Sequence, residues 1–157
     1  MEATTEQLVY QRELRIAASP ETVWEFLVDP AKVARWKGRP ATAFDPQPGG
    51  GYRIEIVPGH VASGEFVELD RPNRLVYTWG WAPDGDGPNA VPPGSSTVEI
   101  ELAPEGGATK LRFTHRDLPS SAAVESHGVG WEHYLERLVV AAAGGDPGPD
   151  PWLTGAA

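Results

Sequence analysis

The sequence predicts an α+β domain: an antiparallel sheet of about seven strands, two short helices near the N-terminus and one long helix near the C-terminus. Three observations predict it. Segments that alternate apolar and polar residues follow one another from about residue 41 to 117, separated by turn signals. Helical periodicity is confined to two places, residues 19–37 and 120–143. Strands grouped together with helices segregated from them define the α+β class.

Each element has its own local reason. Residues 8–17, LVYQRELRIA, alternate as a strand, with Leu8, Tyr10, Arg12, Leu14 and Ile16 on one face. Ser19-Pro20-Glu21-Thr22 then starts a helix: Ser19 is a good N-cap, Pro20 suits the first helical position, and Glu21 favours the positive end of the helix dipole. Val23, Phe26 and Leu27 form its apolar stripe, and Asp29-Pro30 ends it and opens a second short helix. That helix offers Val33 and Trp36 to the core, and Gly38 and Pro40 stop it. ATAF (41–44) is a short strand, followed by the turn DPQPGGG. YRIEIV (52–57), HVASGEFVEL (60–69) and RLVYTWGW (74–81) follow as strands, divided by Pro58-Gly59 and by Asp70-Arg71-Pro72-Asn73. Both faces of RLVYTWGW are bulky, so its inward side stays open at this level. Residues 82–95, APDGDGPNAVPPGS, are too rich in proline and glycine for regular structure and form a long loop, a candidate lid. TVEIEL (97–102) and KLRFTHRDL (110–118) form a hairpin. The last helix runs from about Ser120 to Ala143, with Val124, Gly128, Trp131, Leu135, Leu138 and Ala142 on its core side and Glu125, Glu132, Glu136 and Arg137 on its wetter side. At ~24 residues it is about 36 Å long and is the one element able to cover a seven-stranded sheet. Residues 1–143 thus form a single domain, and 144–157 read as a loose tail with Trp152 as its one anchor.

Composition narrows the function classes. The 157 residues contain no cysteine, which removes disulfides, thiol catalysis and cysteine-bound zinc and fits a reducing, cytoplasmic setting. The net charge of −9 leaves no basic stripe for nucleic acid or an anionic membrane surface. No apolar run approaches the ~20 residues of a membrane span, and the polar N-terminus is no signal peptide.

One stretch conflicts with its own secondary structure. HGVGWEHYLERL (127–138) is helical in pattern, yet holds Gly128 and Gly130 beside Trp131. Each glycine costs a helix about 1 kcal/mol relative to alanine. Missing side chains next to a large one leave a hollow, which places a cavity between this helix and the sheet, with Gly128 as the residue whose enlargement would fill it.

The element order, with ASPETVWEFLVDPAKVARW (18–36), GEFVELDRPNRLVYTW (64–79), TKLRFTH (109–115) and HGVGWEHYLERL (127–138), resembles the helix-grip fold of the START-like, or SRPBCC, superfamily, birch-pollen-allergen-like proteins included. Within it the chain is similar to the family named after the activator of the heat-shock-protein-90 ATPase. The resemblance spans roughly residues 8–143. It implies a cavity between a curved sheet and the last helix that takes lipids, polyketides or other apolar molecules. It also implies two other roles found among relatives: cyclase-, dehydratase- or hydrolase-type chemistry, and stimulation of a chaperone in a stress response. The family's Trp-Trp-Gly near the end of the second helix stands here as Trp36-Lys37-Gly38, and the namesake's separate chaperone-binding module is not in this chain.

The leading expectation is a non-enzymatic carrier or sensor of an apolar small molecule, without cofactor or metal. Trp131, His127, Gly128, Phe66, Tyr77, Trp79, Phe113, His115 and Trp36 are the expected ligand contacts. Were the domain an enzyme, its acid–base set would be His115, Asp117 and His127, since His115 and Asp117 are two apart on one strand and His127 shares a helix face with Trp131. The plainer reading of His115 is a buried or solvated histidine near a strand end. His127 and His133 lie about 240° apart around the helix, so they cannot share a metal, and no H-E-x-x-H motif occurs. Homodimerisation through the outer face or an edge of the sheet is open, and so is a chaperone partner.

Overall fold

A computed structural model describes residues 8–37, 41–57, 59–82, 91–148 and 150. The elements run β1 (Tyr10–Ile16), α1 (Pro20–Val28), α2 (Pro30–Lys37), β2 (Ala43–Phe44), β3 (Gly51–Val57), β4 (His60–Asp70), β5 (Arg74–Trp81), β6 (Ser96–Glu105), β7 (Ala108–Arg116) and α3 (Ser121–Ala142). The strands form one seven-stranded sheet in the order β1-β7-β6-β5-β4-β3-β2, every pairing antiparallel. This is the architecture the sequence predicts, helix-grip in form, with α3 lying across the sheet. Of the sequence features named above, Gly38, Pro40, Pro58, most of the candidate lid (83–90) and Trp152 lie outside the described residues.

The helix starts follow the local chemistry. Ser19 Oγ accepts the Thr22 amide at 3.2 Å, with Pro20 opening α1. Ser120 Oγ accepts the Ala123 amide at 3.1 Å at the start of α3. Each cap satisfies a backbone donor that the first turn leaves without an intrahelical partner.

Register decides which side chains face α3. Phe66 pairs with Tyr77, Tyr77 with Val98, Val98 with His115, and His115 with Tyr10, so one row of same-face residues crosses five strands. The odd-numbered residues of β5 therefore point inward: Leu75, Tyr77 and Trp79 are buried, and Trp81 packs against the core. Irregular pairing between Glu55 and Val57 and between Phe66 and Glu68 interrupts the β3–β4 and β4–β5 ladders. Such bulges add twist and bend the sheet around the helix. Arg53 and Glu65 alternate with buried Tyr52 and Phe66 and belong to the opposite face.

That opposite face is charged. Arg74 reaches Glu68, Glu99 and Glu101 at 3.3, 3.3 and 2.9 Å, Arg116 reaches Glu99 at 2.6 Å, and Arg112 reaches Glu13 at 3.1 Å. Exposed pairs of this kind add little stability each. Their consequence is a hydrated outer surface, which leaves α3 and the two short helices to cover the apolar one.

One expectation needs correction. Arg137, placed on the wet side of the last helix, is buried. Its guanidinium donates to the carbonyls of Trp36 at 2.9 Å, Pro147 at 3.3 Å and Gly148 at 2.9 Å. It thereby ties the end of α2 and the segment after α3 to the helix. Within that segment Asp150 is buried, bonded to His133 Nε2 and to the Tyr134 hydroxyl, each at 2.8 Å.

Candidate ligand-binding site

The two glycines of α3 meet different surroundings. A Cβ on Gly128 would sit 3.0–3.1 Å from the ring of Tyr10, closer than ordinary carbon contacts, so this glycine lets β1 and α3 approach. A Cβ on Gly130 would meet nothing within 4 Å. Gly130, not Gly128, borders the hollow; the spacing of the two glycines does not say which one meets a strand.

The hollow has a volume of about 260 Å³. Trp79, Trp81, Ile56, Trp131 and Tyr134 make most of its wall; Lys37, His60, Ser126 and His127 are its polar members. A separate void of about 30 Å³, room for one water, lies deeper beside Trp36, Phe66 and Tyr77. Trp79 and Lys37 border both spaces.

Lys37 is the unexpected member. It is 4 % exposed at the end of α2, and no described residue forms a hydrogen bond or ion pair with it. Its Nζ instead lies among aromatic rings, 4.5 Å from the centroid of Trp131, 4.8 Å from Trp36, 5.1 Å from Trp79 and 5.9 Å from Tyr134. Ring faces attract an ammonium and replace part of its lost hydration. Burial still dominates and lowers its pKa to about 7.

The two histidines are held in opposite tautomers, each by a tryptophan. Trp131 Nε1–H donates to His115 Nδ1 at 3.0 Å, so His115 carries its proton on Nε2 and donates it to Ser96 Oγ at 2.8 Å. Ser96 passes its own proton to the Trp79 carbonyl at 2.9 Å. Trp81 Nε1–H donates to His127 Nε2 at 3.0 Å, so His127 carries its proton on Nδ1 and donates to the Ala123 carbonyl at 2.8 Å. The rings stand perpendicular with centroids 5.2 Å apart. Burial holds the His115 pKa down at about 3, helped by the neighbouring His127 and Lys37, and burial lowers that of His127.

This geometry places the three residues of the expected acid–base set apart in role. Both nitrogens of His115 are engaged, the residue is fully buried, and it does not border the hollow. Asp117 lies past the end of β7 with φ 66°, and its carboxylate pairs with Arg116 at 2.9 Å instead of steering His115. Of the expected ligand contacts, Trp79, His127 and Trp131 border the hollow, Trp36, Phe66 and Tyr77 border the small void, and Phe113, His115 and Gly128 border neither. Phe113 is instead packed against Trp131, ring centroids 4.6 Å apart.

Sequence reasoning missed Lys37, Ile56, His60, Ser126 and Val129, and did not single out Trp81, Tyr134 or Gly130 as ligand contacts, although it tied Gly130 to the hollow. Two signals were there to find. Lys37 is four residues after buried Val33, hence on the same helix face. Trp81 is two residues after Trp79, hence on the same sheet face.

Among the described residues no group of three or more histidine, aspartate or glutamate side chains is arranged to hold a metal, and no helix is long and apolar enough to cross a membrane. Comparison with known proteins gives a family model described as Activator of Hsp90 ATPase homolog 1-like protein, matching residues 17–143. The solution structure of an AHSA1-like protein from Rhizobium etli is similar at 46% identity and TM-score 0.73, over 96% of this chain and 91% of that one. CalU16 from Micromonospora echinospora is similar at 27% identity and TM-score 0.64, over 90% and 88% of the two chains. DynU16, from the dynemicin biosynthetic locus, shares the fold at 24% identity and TM-score 0.75; the match covers 92% of this chain, which spans 50% of DynU16. No curated protein matches.

Proposed function

The chain belongs to the Activator of Hsp90 ATPase homolog 1-like protein family, and from that premise we propose that it binds an apolar small molecule between sheet and α3, as a carrier or sensor. The observation that carries this reading is the hollow of about 260 Å³ with its aromatic wall. An engineered cavity of about 150 Å³ accepts benzene, so this one suits a molecule of about two fused rings. A mostly apolar wall with a few polar groups is the usual make-up of such sites.

Neither alternative has comparable support. The cyclase- or hydrolase-type reading needs two acid–base groups aimed at one point, and His115 and Asp117 are turned elsewhere. A chaperone-docking role calls for a contiguous exposed apolar patch. The large apolar residues exposed among those described are Val67 on β4 and Val129 and Val140 on α3, the last two three helical turns apart.

The test is titration with 2-naphthalenemethanol, an uncharged two-ring probe, followed by tryptophan fluorescence, since Trp79, Trp81 and Trp131 line the site. Saturable quenching is expected, weakened at least tenfold by Gly130→Leu, which fills open space. Native mass spectrometry of the protein taken from cells would then look for a retained small molecule. Absence of saturable binding, or equal binding by Gly130→Leu, overturns the reading.

A further inference from the structure

Lys37 gives the hollow a chemical preference. Most polar groups around it already have partners: His127 uses both nitrogens, and the Tyr134 hydroxyl donates to Asp150. Among the described residues the Lys37 ammonium has only ring faces, and no carboxylate borders the hollow. Its side chain, buried at the end of α2, borders the hollow and brings N–H donors without an oxygen acceptor. A buried cation in that condition is costly, and the cost falls when an acceptor of opposite charge arrives.

We propose that the natural ligand is a small aromatic acid, a one- or two-ring body carrying a single carboxylate, with Lys37 as the ion partner of that carboxylate. The proposal rests on the cavity reading above and adds the charge. The rings fill the space beside Gly130 and stack on Trp79, Trp81 and Trp131; the carboxylate replaces the water that Lys37 lost on folding. A charge-assisted hydrogen bond in an apolar site strengthens binding by roughly ten- to a hundredfold.

Protonation sets the pH dependence. The titratable groups facing Lys37 are His127 and Tyr134 from α3, His60 from β4, His115 from β7, and Tyr52 and Tyr77 from β3 and β5. His115 and His127 are held neutral, and burial raises the pKa of all three tyrosines. The change expected between pH 6 and pH 9 is thus loss of the Lys37 charge.

The experiment compares 2-naphthoate with 2-naphthalenemethanol, two probes of the same ring system differing in charge, on the parent protein and on Lys37→Met. The parent is expected to prefer naphthoate at least tenfold at pH 6, and that preference to shrink at pH 9. Lys37→Met should abolish the preference, read as the ratio of the two probes' affinities within each protein. The pH comparison on the parent alone decides the matter should the variant fold poorly. Equal affinity of the parent for both probes at pH 6, or a preference that survives in Lys37→Met, overturns the anion assignment while the cavity reading stands. Failure of both probes to bind overturns the cavity reading and this one with it.

Discussion

The two sides of α3 solve opposite problems. Toward β1 and β7 the interior is sealed: Tyr10 fills the notch at Gly128, Phe113 packs on Trp131, and His115 accepts from Trp131 and donates to Ser96. Toward β3, β4 and β5 the same helix stands off: Gly130 faces open space, and Lys37 is left among rings. One side maximises packing, which native interiors ordinarily do. The other gives up packing and accommodates a poorly solvated ammonium, the kind of local cost that marks a functional site. The difference teaches that similar sequence signals, two glycines two residues apart, can serve close contact and vacancy in one helix.

Trp131 belongs to both sides, and its removal gives the largest expected effect. It touches Phe113, Trp79 and Lys37 and donates to His115. Trp131→Ala should cost about 3–5 kcal/mol, the range for a buried aromatic, seen as a lower urea midpoint. A loss under ~1 kcal/mol would mean that the sealed side is not sealed.

Lys37 distinguishes the sides by sign. Its folded pKa of about 7 lies below its ordinary value of 10.5, so between those values the unfolded chain binds more protons and stability rises with pH. At pH 7 nearly the whole penalty is present. Lys37→Met should therefore stabilise the protein, by about 4 kcal/mol at pH 7 and progressively less toward pH 10.5. Thermal melts across that range check it; a destabilised variant at pH 7 would show that the ring cage outweighs burial.

On the sealed side the buried histidine gives the opposite end of the pH scale. His115, with a folded pKa of about 3 against 6.5 ordinarily, stabilises the fold fully above pH 6.5 and loses that contribution as pH falls toward 3. The loss between pH 6.5 and 5 is roughly 2 kcal/mol. His127, lowered in the same direction, adds to it. His115→Gln, which keeps a donor and an acceptor without titrating, should flatten this part of the stability profile; an unchanged slope would mean that His115 is not the group responsible.

How much of this was legible follows from what each level of sequence pattern encodes. Period-two and period-3.6 alternation gave the strands and helices, because burial of one face is a local requirement. Ser19 announced a helix start because its hydroxyl can cap a backbone amide within the same turn. The sealed residues Phe113 and His115 were named, but as cavity wall, because a strand pattern says which face is inward and not what lies opposite. Lys37 entered the sequence reading only as the middle of Trp36-Lys37-Gly38; that its side chain turns under Trp131 depends on α3, about ninety residues on in the chain. Asp117 was paired with His115 by strand alternation, which fails once φ turns positive past β7.

The smallest expected effect is also the most direct comparison of the two sides. Glycine to alanine in a helix interior gains about 0.5–1 kcal/mol when the methyl has room. At Gly130 it has room, with nothing within 4 Å, so Gly130→Ala should show close to the full gain. At Gly128 the methyl would stand 3.0 Å from Tyr10, so the ring must shift by a few tenths of an ångström and part or all of the gain is lost. Chemical denaturation of the two single variants side by side measures the difference, and the double variant should equal their sum, because the two methyls meet different surroundings. Equal gains at both positions would mean that Tyr10 yields freely, and that the contact between β1 and α3 is looser than the packing of Gly128 indicates.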